Sequence, residues 1–191
     1  MGTASNGSAA RSRRPARPRV EVLRIGHRPG RDPRLTTHVA LVARAFGAER
    51  MFLHPPDPGV AASLEAVRAR WGGTFTVEPA PSWSSVVRAA PGPVVHLTMY
   101  GEPLARRLPR LRRASRLLLV VGGAKVPPQI YGAATFNVSV GSEPHSEVAA
   151  LAVVLAELLG VPGARPMRGA RQRIVPSARG KSVVPLAPAA R

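Results

Sequence analysis

The sequence predicts an α/β protein with a mainly parallel sheet and helices on both faces. Three observations lead there. Short runs of aliphatic and β-branched residues alternate regularly with longer segments of helical period. The run Leu117–Val121 is apolar throughout, as expected of a buried strand in a parallel sheet. Three runs end in glycine-bearing turns, at LTMYG (97–101), VVGGAKVP (120–127) and VGSEPHSE (140–147). Glycine turns after successive strands describe a small-molecule pocket at the carboxyl edge of a parallel sheet.

The elements follow in order. VEVLRI (20–25) is a strand. Thr36 or Thr37 caps a helix through HVALVARAF that Gly47 ends. Residues 51–53 form a short strand, and Asp57-Pro58 opens the next helix with the acid at the cap and proline at the first helical position. That helix stops at Gly72-Gly73. Residues 75–78 are a strand, 82–89 a short helix and 94–99 a strand. The stretch 103–114 is helical but interrupted by Pro109. Strands at 117–121 and 136–140 follow, and the final helix aligns Val148, Leu151, Ala152, Leu155, Leu158 and Leu159 on one face.

Composition limits the function. One domain suits 191 residues, and 45% hydrophobic residues supply a core. No run of eighteen apolar residues spans a membrane, and the first nineteen residues lack the apolar stretch of a secretory signal. A cytoplasmic protein is expected. Cysteine is absent and the five histidines have no metal-ligand spacing, so no metal is expected. There is no G-x-G-x-x-G after the first strand and no P-loop. The net charge of +18 is concentrated at the ends: residues 1–19 carry five arginines, residues 160–191 six arginines and a lysine, and neither segment has an acid. These Pro-, Ala- and Gly-rich segments read as flexible. Their charge points to a polyanion, although arginine over lysine at 26 to 2 also suits a compositional bias. A cofactor pocket with a basic surface suggests group transfer onto nucleic acid.

The segments RIGHRPGRDPRLTTHVALVARAFGA (24–48), VVHLTMYG (94–101), VVGGAKVPPQIYGAATFNVSVG (120–141) and EPHSEVAALAVVL (143–155) carry a specific resemblance. Together they resemble the archaeal tRNA (cytidine-56) ribose 2'-O-methyltransferases of the SPOUT superfamily. The likeness runs from about residue 20 to 184, with RIVPSARGKSVV (173–184) matching a basic terminal segment. It implies a domain over 20–184, with 1–19 a disordered basic tail and 185–191 a flexible one. It further implies a C-terminal deep trefoil knot, a homodimer, and S-adenosylmethionine bound on the knot loops. The contacts carried over are Leu97; Gly122, Gly123, Ala124, Lys125 and Val126; and Val140, Gly141, Ser142, Glu143, Pro144, His145, Ser146 and Glu147. The implied substrate is the ribose of cytidine 56 in the TΨC loop of tRNA. Alternatives are a related knotted enzyme acting on ribosomal RNA and a non-catalytic RNA-binding member. Two departures bear on cofactor affinity: GGAKV stands where GAEKV is usual, and VGSEPHSE where IGNQPHSE is usual.

The chemistry is an in-line displacement by a weak hydroxyl nucleophile, which needs deprotonation or a stabilised alkoxide. Candidates are His27, Arg28, Arg31, Arg34 and His38. Arg34 and Arg28 suit phosphate anchoring or alkoxide stabilisation, and His38 is a candidate base or a satisfied structural histidine. Asn137 and Ser139 resemble a motif of sister ribose methyltransferases and are candidates to orient the ribose. Trp71, Trp83, Tyr100 and Tyr131 are candidate base stackers or packing residues, and the run 106–113 is a phosphate-binding or simply solvated helix face.

Overall fold

Side-chain alternation along the two central strands decides the architecture. The computed structural model describes residues 17–123 and 125–187. In β1 (Arg19–Arg24), Val20 and Val22 enter one core, while Leu23 enters the other. In β5 (Arg116–Val121), Leu117, Leu119 and Val121 enter the first, and Leu118 and Val120 the second. A strand apolar on both faces must be covered on both.

The remaining strands are β2 (Arg50–Leu53), β3 (Thr76–Pro79), β4 (Val94–Pro103) and β6 (Phe136–Ser139). They complete a six-stranded sheet of order β3-β2-β1-β5-β4-β6, parallel throughout. On one face lie α1 (Pro33–Ala45), α2 (Pro58–Trp71), α4 (Leu104–Leu111) and α6 (Glu147–Leu159), which bury Val39, Val60, Leu111 and Leu151 in the larger core. On the other lie the short α3 (Trp83–Arg88) and α5 (Gln129–Ala133), with Val87 and Ile130 in the second core. The chain steps from β1 to β3 toward one edge, then crosses to β4 beyond β5. The order therefore reverses beside β1, where open sheets leave a crevice at their carboxyl ends.

Local chemistry explains most boundaries. The Asp57 carboxylate caps α2 by accepting from the backbone N–H of Gly59 at 2.8 Å and Val60 at 3.4 Å, with Pro58 at the first position as expected. The α1 helix starts at Pro33 rather than at the threonines, because proline again occupies the first helical position. Thr36 is instead buried against His27, and the Thr37 hydroxyl donates back to the Pro33 carbonyl at 2.8 Å. Pro109 lies within α4, which runs on to Leu111 and is anchored by buried Leu104 and Leu111.

Two features differ from the sequence reading. Strand β4 continues past Met99: its pairing with β6 shifts between Leu97 and Glu102, both of which sit opposite Val138. Residues 98–101 are the extra chain, a bulge of the kind that re-aims side chains beside sites. The basic C-terminal segment, which composition marked as flexible, contains an antiparallel hairpin, β7 (Gln172–Val175) and β8 (Ser182–Pro185). It is tied to the end of α2 by Gly73 N–H to the Arg168 carbonyl at 2.9 Å and Arg171 N–H to the Arg70 carbonyl at 3.0 Å.

Gly101 closes the bulge against β6. A Cβ there would stand 2.5 Å from the Val138 nitrogen and 2.6 Å from the Asn137 carbonyl carbon, both backbone atoms that cannot yield. Gly101→Ala is expected to lower stability by about 1–3 kcal/mol, the usual cost of overpacking. A drop in the urea midpoint with an unchanged m-value is the check.

Candidate active site

The carboxyl ends of β1, β4, β5 and β6 open into one cleft of about 810 Å³. Its centre is set by Arg24, the last residue of β1. Arg24 follows Val20 and Val22 on the core face, so the strand drives a guanidinium inward, where it has no solvent exposure. Nη1 donates to the Gly122 carbonyl at 2.6 Å, and Nη2 donates to the Glu147 carboxylate at 3.2 Å. Its Nε is buried and has no partner among the described residues. Burial lowers its pKa, and the Glu147 carboxylate opposes that shift. One side chain thus joins the loop after β5 to the first residue of α6. At that helix start, the Ser146 hydroxyl accepts from Val148 N–H at 3.2 Å.

Of the expected cofactor residues, Leu97, Gly122, Gly123, Lys125, Val126, Val140, His145 and Glu147 line this cleft. Gly141, Ser142, Glu143, Pro144 and Ser146 belong to the same third loop but do not line it, and Ala124 lies outside the described residues. The glycines are not equivalent. A Cβ on Gly122 would stand 2.2 Å from Cγ1 of Val126, so the Val126 side chain would have to give way there, whereas at Gly141 a Cβ would meet nothing within 4 Å.

Among the catalytic candidates, Arg28 lines the cleft, and Arg34 and His38 are exposed on α1 outside it. The Arg28 guanidinium donates to Asp32 through Nε at 2.7 Å and Nη2 at 3.1 Å, which holds the Asp32 carboxyl below its usual range. His27 is buried, with ring nitrogens 2.9 Å from Asp57 and 2.9 Å from the Thr36 hydroxyl. That double tether joins α1 and α2 to the turn after β1 and makes His27 a packing residue. The Asp57 pKa is lowered, first by the His27 contact.

The sequence reading missed Arg24, His96 and Asp32 as cleft residues. A cation in register with Val20 and Val22, on the apolar face of its strand, was the signal for Arg24. His96 is buried and 2.9 Å from Oδ1 of Asn137, whose Nδ2 donates to the Tyr131 carbonyl at 2.9 Å. Asn137 therefore presents an acceptor to His96, and the imidazole carries its proton on Nδ1. The Tyr131 ring stands edge-on to His96 at 4.9 Å, with its hydroxyl 3.1 Å from that of Thr98. Asn137 is engaged in this network and Ser139 is buried. Burial lowers the His96 pKa, and the Asn137 contact partly opposes the shift.

Trp83 packs on the second core and Tyr100 is 80% exposed. The arginine run is largely engaged: Arg106 and Arg107 reach Glu102, Arg107 and Arg110 lie over Phe136, and Arg112 pairs with Glu157 at 2.9 Å. Among the described residues no three His, Asp or Glu side chains converge as metal ligands.

Comparison with known proteins identifies the family. Residues 71–184 match the family described as tRNA ribose 2'-O-methyltransferase, aTrm56. The tRNA (cytidine(56)-2'-O)-methyltransferase of Archaeoglobus fulgidus is 49% identical over 165 residues, covering 86% of this chain and 98% of that protein. The chain belongs to the tRNA ribose 2'-O-methyltransferase family. Solved structures agree on its SPOUT fold. An RNA 2'-O ribose methyltransferase superposes with a TM-score of 0.57 at 18% identity, covering 81% of this chain and 60% of that one. The SpoU methyltransferase AviRb from Streptomyces viridochromogenes, in complex with AdoMet, superposes at 0.51 with 17% identity, covering 75% and 58%. In this family member the three glycine turns and Arg24 meet in the cleft.

Two outcomes are expected. Arg24→Met removes the donor to the Gly122 carbonyl and to the partly exposed Glu147 carboxylate and is expected to cost about 1–3 kcal/mol. Adding Glu147→Gln recovers part of that loss, and a double-mutant cycle in urea measures the coupling. For His96, whose folded pKa is depressed, stability is fullest above the unfolded value of about 6.5. It declines as pH falls from there through the folded value, because the unfolded chain binds the proton first. Urea titrations between pH 7.5 and 5 should lose that slope in His96→Gln.

Proposed function

We infer that this chain methylates the ribose 2'-hydroxyl of cytidine 56 in the TΨC loop of tRNA, with S-adenosylmethionine as donor. The observation that carries the reading is the meeting of the bulge in β4 with the loops after β5 and β6 in one cleft, in a chain nearly half identical to an enzyme named for that reaction. When bound, S-adenosylmethionine supplies a methyl group made electrophilic by its sulfonium.

The cleft suits that cofactor. Leu97, Val126, Val138, Val140 and Ala150 offer apolar surface to a flat base. The second and third loops, residues 122–126 and 140–147, are assigned to hold it through backbone groups, which accommodates Gly123-Ala124 and Ser142-Glu143 in place of the usual residues. The Gly122 carbonyl is already oriented by Arg24. The same reading threads the C-terminal third as the family's trefoil knot.

Arg28 is assigned to anchor a phosphate or stabilise the developing alkoxide. It is a permanently charged fork at the cleft, steadied by Asp32 on one side. Asp32, with its lowered pKa, is a poor proton acceptor, and positioning carries much of the rate. Arg34 and His38, exposed on α1, are assigned to the RNA side of the reaction. The enzyme is read as a cytoplasmic homodimer; half-exposed Val153 on α6 and exposed Tyr100 are apolar surface that a second copy would cover. No described helix is long and apolar enough to cross a membrane.

Labelled S-adenosylmethionine with unmodified tRNA transcripts tests the reaction. Transfer to the natural transcript but not to one with 2'-deoxycytidine at position 56 is expected, and equal transfer to both would discard the position. Arg28→Ala should cut kcat by about 10²-fold while cofactor Kd holds; equal loss of both would remove its catalytic role.

A further inference from the structure

Among the described residues eight of the ten acidic side chains pair with arginines between residues 19 and 116, Asp57 meets His27, and Glu143 pairs with none. The arginines of the sheet domain consume them. The C-terminal segment is different. Between residues 160 and 187 there are five arginines, one lysine and no acid. Arg165, Arg168, Arg171, Arg173, Arg179 and Lys181 are all exposed. Among the described residues none of the six forms an ion pair.

This charge is held in place. The β7–β8 hairpin fixes Arg173 opposite Val184, and the backbone bonds of Arg168 and Arg171 fasten its base to the end of α2. Ile174 and Val183, directly paired across the ribbon, are 58% and 41% exposed. A groove of about 440 Å³ runs between the ribbon and α2, with Trp71 and Met167 in its wall and Arg44 and Arg173 at its sides. A fixed cationic ribbon with no internal counter-charge needs anions from outside. Two such ribbons facing one another would oppose like charges, which disfavours their direct pairing. Phosphates spaced along a chain, beside apolar ribose and base surface, match both the charge and the exposed Ile174–Val183 pair.

We propose that the hairpin and its basic base form the surface that grips the phosphate backbone of tRNA, separate from the cleft that performs the transfer. The proposal rests on the tRNA reading above. Its test is filter binding of unmodified tRNA across a salt series, with the full-length chain and the variant Arg173→Ala/Arg179→Ala/Lys181→Ala. Each phosphate contact contributes about 0.7–0.9 to the slope of log affinity against log salt. The variant should therefore flatten the slope by about 2, weaken tRNA binding at least ~10-fold near 0.1 M salt, and raise the KM for tRNA. Its kcat at saturating tRNA, its S-adenosylmethionine Kd and its thermal midpoint should match wild type. An unchanged slope and affinity would overturn the proposal, as would a loss of binding that sedimentation traces to a change in oligomeric state. Wild-type protein with the steep slope, flattened in the variant, but no methyl transfer would refute the reaction and support the surface.

Discussion

A guanidinium without access to water sits where the central strand ends, and the geometry of the cleft depends on what it touches. Leaving an ion buried costs several kcal/mol even after relaxation. Arg24 offsets that cost through a carbonyl and a carboxylate that lie 98 and 123 residues further along the chain. The ion pair is therefore a weak source of net stability and a strong constraint on shape. The Gly122 carbonyl and the Glu147 carboxylate must both come to the guanidinium, so the turn after β5 and the start of α6 are set against β1 together. Gly122 packing on Val126 tightens the same loop from within.

A second polar tether does similar work one turn away. His27 holds Thr36 of α1 and Asp57 at the cap of α2. The motif that follows β1 thus contributes two buried polar anchors, Arg24 and His27, before it offers Arg28 to the cleft. Charge is distributed unevenly: all ten acidic side chains lie between residues 20 and 159, and the C-terminal ribbon carries basic residues alone. In a protein of +18, it is this separation, rather than the total, that points to where a polyanion would rest.

The sheet, most of the helices and the location of the cleft were legible in the sequence because each is written in local terms. Apolar runs mark β1 and β5, Asp57-Pro58 marks the start of α2, and glycine turns mark the carboxyl edge. Boundaries slipped where a local signal had two readings. Thr36 and Thr37 look like caps, but Pro33 begins the helix and Thr36 serves His27. Glycine at 101 and 122 marks a turn in the sequence, and the structure adds that a Cβ at either position would meet the protein's own backbone or side chain. The hairpin at 172–185 was missed because its strands are short and proline-flanked, and its anchoring lies on α2.

By itself the sequence determined the parallel α/β layering, the glycine turns after β5 and β6, and the motifs that place the chain in its family. These depend on side-chain period and on residue identity, which neighbouring positions specify. Tertiary structure decided the rest: that Arg24 binds Gly122 and Glu147, that His96 Nδ1–H donates a hydrogen bond to Oδ1 of Asn137, that Arg28 reaches the cleft while Arg34 and His38 stay outside it, and that the basic segment is a fixed ribbon. Each of these is a pairing across tens of residues. A buried polar group must find a partner, but its own position in the chain does not say which.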